Sequence, residues 1–170
     1  MLATVIGALG ILANCIIYQQ KSGKGLLLCK LISDVLWLLH YLLLGAYSAA
    51  AVALIGGFRE FVFYKENKKP KKNIFFFYLF IGITVTSAIL TWKSAASLLP
   101  ALASVISIVS FWRALPALSR ILAYPVSLLM LTYDLTCGSY VGIVNEVLTV
   151  AATTFAIICA VKNKRKAEKS

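Results

Sequence analysis

The sequence predicts an all-α membrane protein of seven transmembrane helices. They form two parallel three-helix bundles plus a linker helix (3+1+3), with the N-terminus outside and the C-terminus inside. Three observations predict this. Of 170 residues, 61% are hydrophobic and only 14% charged, too little polar surface for a soluble domain. Seven apolar stretches, at 2–18, 25–44, 48–64, 73–92, 98–113, 117–136 and 140–161, lack the period-two alternation of barrel strands. Each has 16 to 22 residues, which suits a helix crossing about 30 Å of hydrocarbon. Finally, 16 of the 17 basic residues fall in every second connection. These hold Lys21, Lys24 and Lys30; Arg59, Lys65, Lys68, Lys69, Lys71 and Lys72; Arg113 and Arg120; and Lys162, Lys164, Arg165, Lys166 and Lys169. The other connections hold only Lys93. Loops rich in Lys and Arg stay in the cytoplasm, which fixes the orientation. A six-span arrangement would put the basic tail opposite the other basic loops.

Span one has no basic residue before its apolar run, so it reads as a retained helix rather than a signal peptide. It presents Gly7, Gly10 and Asn14 on one face. Small residues let helices approach closely, and the Asn14 amide needs a partner in lipid. Span two carries Asp34 near its middle, with Trp37 and Tyr41 at i+3 and i+7 on the same face. His40 lies a turn after Trp37. An ionisable group at mid-helix costs roughly 2.5–3.5 kcal/mol on insertion scales, so each needs a reason. Aromatic rings beside polar groups suit a ligand pocket. In the alternative, Trp37 and Tyr41 belong to the aromatic belt and His40 bonds a neighbouring helix.

In span three, Arg59 is expected to snorkel to the inner interface, and Glu60 points about 100° away from it, which argues against a direct pair. Span four is nearly featureless. Its Phe75, Phe76, Phe77, Tyr78 and Phe80 are expected to meet lipid or the interface. Span five places Pro100 in its first turn and Ser104, Ser107 and Phe111 on one face. Pro125 lies inside span six, removes a backbone hydrogen bond and predicts a kink that could act as a hinge. Asp134, just inside the outer end of that span, is expected to be solvated. Span seven carries a polar stripe of Asn145, Glu146, Thr149 and Thr153. Glu146 lies within two turns of the outer end, within reach of water. Two roles fit it: a functional carboxylate, or interhelical hydrogen bonding.

Spans two and three meet at Leu44-Gly45-Ala46-Tyr47-Ser48, and spans six and seven at Cys137-Gly138-Ser139-Tyr140-Val141. These Gly-small-Tyr turns are 93 residues apart, and that offset maps 5–64 onto 98–157 without a gap. Asn14 falls on Ser107 and His40 on Tyr133. Three-helix repeats separated by one helix must run parallel, a plan found in the SWEET sugar carriers. The predicted units are therefore 1–64, the first bundle; 65–97, a basic loop and linker helix; 98–161, the second bundle; and 162–170, a basic tail.

The net charge of +11 is split among four segments, none in a soluble module, which argues against nucleic acid. Topology plus attraction to anionic headgroups at the cytoplasmic face accounts for it, with Lys65–Lys72 and Lys162–Lys169 solvated or lipid-facing. Cys15, Cys29, Cys137 and Cys159 show no paired spacing and read as small apolar fillers. One His, no nucleophile elbow, no metal spacing and no Gly-rich loop leave no catalytic, metal or cofactor site, so no enzyme is expected.

Leu98-Leu99-Pro100, Phe111-Trp112-Arg113, Cys137-Gly138-Ser139-Tyr140-Val141-Gly142 and Glu146 resemble the YgjV family of bacterial inner membrane proteins. So do His40-Tyr41-Leu42-Leu43-Leu44-Gly45 and Arg59. The match covers nearly the whole chain. One departure is Tyr133, where family members can carry a second His. The resemblance implies a multi-pass protein of the bacterial cytoplasmic (inner) membrane, similar in plan to SWEET and PQ-loop proteins. The Pro-Gln signature of the latter is missing, since Gln19-Gln20 follows no proline. Sugar therefore does not carry over as the substrate.

The expected function is transport of a small solute by alternating access, about a cavity between the bundles. Candidate cavity residues are Asn14, Asp34, Trp37, His40, Ser107, Tyr133, Asn145 and Glu146. His40 and Glu146 are candidates for proton coupling, and Pro125 for a hinge. The rival is a non-transporting receptor or assembly partner on the same scaffold, as KDEL receptors exemplify. A polar cavity open to one side favours transport; a closed, dry interface without a polar cavity favours the rival. A PnuC-like vitamin-precursor facilitator would expect more central Trp and Asn residues than Trp37, Asn14 and Asn145. A chain that holds both bundles has no need to dimerise.

Overall fold

A computed structural model describes residues 2–92 and 94–167, except the side chains of Ser48 and of 164–167. Lys93, the one cation expected outside, and the tail cations from Lys164 onward therefore lie outside the described residues. The described residues form seven α-helices and no strand: α1 Leu2–Ile17, α2 Gly23–Leu43, α3 Tyr47–Glu66, α4 Phe75–Leu90, α5 Leu98–Arg113, α6 Pro116–Cys137 and α7 Tyr140–Ala167. A 3₁₀ turn, Ala95–Ser97, leads into α5.

Local chemistry sets the ends. Ser22 caps α2, its Oγ accepting the Gly25 N–H at 3.1 Å. Pro116 opens α6, where its missing N–H costs nothing. Gly45 and Gly138 turn the chain with φ of 69° and 70°, a left-handed geometry that favours glycine. These glycines are 93 residues apart, as are the starts of α2 and α6 and of α3 and α7. Helix α6 runs unbroken through Pro125.

Three segments are long and apolar enough to cross a membrane: Gly23–Leu43, Ala95–Arg113 and Tyr140–Asn163. α1 and α4 are apolar but span 16 residues each, about 24 Å at 1.5 Å per residue. α3 carries Arg59, Glu60, Lys65 and Glu66, and α6 carries Arg120 and Asp134.

α2 packs between α1 and α3, and α6 between α5 and α7. α1 meets α7 and α3 meets α5, closing a ring, and α4 lies against α3 and α5. Large apolar residues such as Leu12, Leu28, Phe58, Leu128 and Phe155 face outward. The main core sits toward the end that bears the basic loops. There Phe63 stands edge-on to Phe80 and Trp112, with centroids 5.6 and 5.0 Å away, joining α3, α4 and α5. Phe80 is thus buried rather than lipid-facing, whereas Phe75 and Tyr78 are exposed as expected.

Gly7 sets the approach of α1. A Cβ there would lie 2.6 Å from Val141 Cγ1 and 2.8 Å from His40 Nδ1. The cations of the basic end are not all solvated either. Arg120 Nε donates to the Tyr18 carbonyl at 3.0 Å, and Lys72 Nζ to the Trp112 carbonyl at 2.7 Å. Lys65 and Lys68 lie over the rings of Phe61 and Tyr64. Between α3 and α4, Glu66 accepts from Lys69 Nζ at 2.5 Å and the Asn73 N–H at 2.8 Å, and these bonds hold its carboxyl below the usual range.

Candidate functional site

The ring surrounds a cavity of about 130 Å³. Along α2 its wall runs from Lys30 to Tyr41, about 16 Å at 1.5 Å per residue. Lining residues recur at the 93-residue offset: Asn14 with Ser107, Tyr18 with Phe111, Asp34 with Ser127, Trp37 with Met130, Val52 with Asn145, Ala53 with Glu146, and Gly56 with Thr149. Matching positions in the two halves of the chain thus face one space.

Polar groups in the wall and just behind it are linked in three sets. Ser33 Oγ donates to Asn14 Oδ1 at 2.6 Å, Asn14 Nδ2 to Asn145 Oδ1 at 2.8 Å, and Asn145 Nδ2 to Glu146 Oε1 at 2.8 Å. This chain joins α2, α1 and α7 and supplies the partner that the Asn14 amide requires in an apolar interior. Lys30 pairs with Asp34 one turn further along α2, and its Nζ lies 5.8 Å from the Phe111 ring centroid. Arg59 donates through Nε and Nη2 to Glu60 Oε1, at 2.9 and 2.8 Å. Its Nη1 reaches the Ser104 carbonyl at 3.3 Å and Oγ at 3.2 Å, tying α3 to α5.

The Arg59 arrangement corrects two expectations. Arg59 is 2% exposed and does not snorkel; Glu60 is 0% exposed and pairs with it directly. The 100° between adjacent Cβ directions does not prevent this, because the long Arg side chain curls back to the carboxylate. In an apolar interior the pair and the Ser104 bonds replace water for both charges. Asp134 is likewise buried, not solvated. The Tyr41 hydroxyl donates to its Oδ1 at 3.5 Å, the outer limit for such a bond.

Of the sequence-predicted residues, Asn14, Asp34, Trp37, Ser107, Asn145 and Glu146 line the cavity; His40 and Tyr133 do not. His40 is 1% exposed, and its Nδ1 donates to the Ala3 carbonyl at 2.8 Å. Its ring stands edge-on to Trp37 and Tyr41. This is the helix-to-helix bond of the alternative reading, and it parts His40 from Glu146. Tyr133 packs in the cluster of Trp37, Tyr41, Ala49 and Ala53. Pro125 is not itself in the wall, but the next two residues, Val126 and Ser127, are.

Sequence reasoning missed Lys30, Tyr18, Arg59 and Thr149 as cavity residues. The Lys30–Asp34 spacing of four was the available signal for the first of these. Among the described residues no group of His, Cys, Asp and Glu could hold a metal, and all four cysteines are free.

Apolar helices packed around a cavity with polar and aromatic side chains in its wall define an all-helical integral membrane protein. The chain belongs to the YgjV family (Imp-YgjV) of bacterial inner membrane proteins, whose model matches residues 1–164. No curated protein and no solved structure gives a match.

Proposed function

We propose that the protein transports a small polar solute across the inner membrane by alternating access between two three-helix bundles, α1–α3 and α5–α7, with α4 as linker. The observation that carries this is the polar cavity lined by repeat-related residues. The packing supports the 3+1+3 plan: under the 93-residue offset the α1–α7 contact is the counterpart of the α3–α5 contact. The uneven spread of cations supports seven spans with the N-terminus outside.

Alternating access needs interfaces that open in turn. At the basic end the halves are joined by Gln19 Nε2 to the Ala152 carbonyl at 3.0 Å and by Arg120 to the Tyr18 and Gln20 carbonyls. At the other end they are joined by Tyr41 and Asp134. In this reading one set parts while the other holds, with Pro125 easing the bend of α6. Proton coupling, if present, rests on Glu146 rather than His40, because only Glu146 is in the cavity wall.

The test is a thermal-shift screen of purified protein against sugars, amino acids and vitamins, followed by uptake of each hit into proteoliposomes. Saturable uptake that is lost in Asn14→Leu supports transport. Binding without flux supports the receptor alternative. No response from any compound by a folded sample overturns the proposal.

A further inference from the structure

We propose that the cavity recognises a small protonated amine that also carries an oxygen acceptor, with Glu146 as its counter-ion. This rests on the solute-binding reading above and names the solute class.

The wall carries two cations, Lys30 and Arg59, and two acids, Asp34 and Glu146; Glu60, just behind it, makes a third acid and leaves one more acid than cation. Lys30 is paired with Asp34, and Arg59 with Glu60. Among the described residues Glu146 forms no ion pair; the Asn145 amide donates to it at 2.8 Å, the Ser127 hydroxyl lies beside it, and Lys30 acts on it from further off. A carboxylate held away from bulk water favours a positive guest over a neutral or negative one.

Unpartnered buried atoms in the same wall point the same way. Asp34 Oδ2 and Thr149 Oγ1 have no hydrogen-bond partner, and both residues are more than nine-tenths buried. Thr149 is three residues from Glu146, on the same face of α7. An ammonium offers three donors and no acceptor, which suits a wall with acceptor oxygens to spare, the Glu146 carboxylate first among them. The rings of Trp37, Tyr18 and Tyr41 line the same space, and aromatic rings attract an organic cation; Phe111 already has Lys30 Nζ beside its ring. The Trp37 Nε1–H is also buried without a partner, and an acceptor on the guest would suit it. An ammonium alone leaves that donor unmet; a hydroxyl or carbonyl beside it does not.

Ethanolamine, ethylene glycol and glycolate are near-isosteric cationic, neutral and anionic probes. Each is added to the full-length protein at constant ionic strength, and the shift in Tm is read. Ethanolamine alone is expected to raise Tm, and Glu146→Gln to weaken its apparent affinity at least tenfold. Glu146→Asp keeps the charge and is expected to keep the preference. The Lys21→Gln variant, altered on an exposed loop, is expected to bind as the parent does. Equal responses to the three probes overturn the proposal. So does an ethanolamine response that survives Glu146→Gln, or one that sodium chloride reproduces. Proteoliposomes separate the two readings. Ethanolamine binding without flux refutes transport and leaves the amine preference standing. Uptake of a neutral solute that Glu146→Gln leaves unchanged refutes the amine preference and leaves transport standing.

Discussion

Replacing Arg59 with Met distinguishes a buried ion pair from a snorkelling cation. The Met side chain keeps most of the apolar stem but removes three contacts, to Glu60, the Ser104 carbonyl and the Ser104 hydroxyl. Glu60, 0% exposed, is then left as an uncompensated buried acid. Breaking a buried pair from one side costs about 3–5 kcal/mol. At about 2–4 °C per kcal/mol for a chain of this size, Tm should fall by roughly 6–20 °C. A snorkelling Arg59 would be worth no more than a surface pair, about 0–1 kcal/mol. The assay is thermal unfolding in detergent followed by intrinsic tryptophan fluorescence, run beside Glu60→Leu and the double variant. The double variant should recover most of the loss, because replacing both members of a buried pair by apolar groups is often close to neutral. A drop below about 3 °C for Arg59→Met, with the fold intact, would refute the buried-pair account.

Other outcomes follow from the same geometry. Gly7→Ala should cost about 1–3 kcal/mol by overpacking, read as a lower Tm, since its Cβ would meet Val141 and His40. Asn14→Leu leaves Asn145 and Ser33 without their partner. It should cost about 1 kcal/mol or more on the same assay, and unchanged stability would mean that the chain from Ser33 to Glu146 contributes nothing. Glu66→Gln should speed hydrogen exchange of the Asn73 amide. Because the native carboxyl titrates below its ordinary 4.5, the protection is complete above that value and lost as pH falls through the lowered one. Cys137, exposed at the C-terminal end of α6, should react with a membrane-impermeant maleimide in intact spheroplasts when the other cysteines are Ser. Labelling only after the membrane is opened would invert the proposed topology.

Helix positions were legible because apolar run length and turn glycines carry them. Six of the seven helices begin and end within two residues of the spans read from sequence; α7 runs on from 161 to 167. Cavity residues were legible where a polar group sat in a span with no other reason to be there, as with Asn14, Asp34, Asn145 and Glu146. Those missed share one cause. Lys30 and Arg59 were assigned by charge to the loops, but side-chain length lets each fold back onto an acid inside the protein. Whether a cation snorkels or turns inward depends on what the next helix offers, and Ser104 is 45 positions away in the chain. His40 failed in the opposite direction. Its partner is the carbonyl of Ala3 on α1, brought close by Gly7, and no side-chain pattern marks a carbonyl in advance.

Tyr41 and Asp134 occupy equivalent positions under the 93-residue offset, yet one donates and the other accepts. Two identical halves meeting about a twofold axis would set like against like there, phenol facing phenol or carboxylate facing carboxylate. A single continuous chain is free of that constraint, and here the matched positions carry complementary chemistry. The same holds in the cavity, where Glu146 answers to Ala53 and Asp34 to Ser127. Duplicating either half would therefore not rebuild this molecule. Two copies of the first would bring two phenols and no Glu146, and two copies of the second would bring two acids and no Lys30.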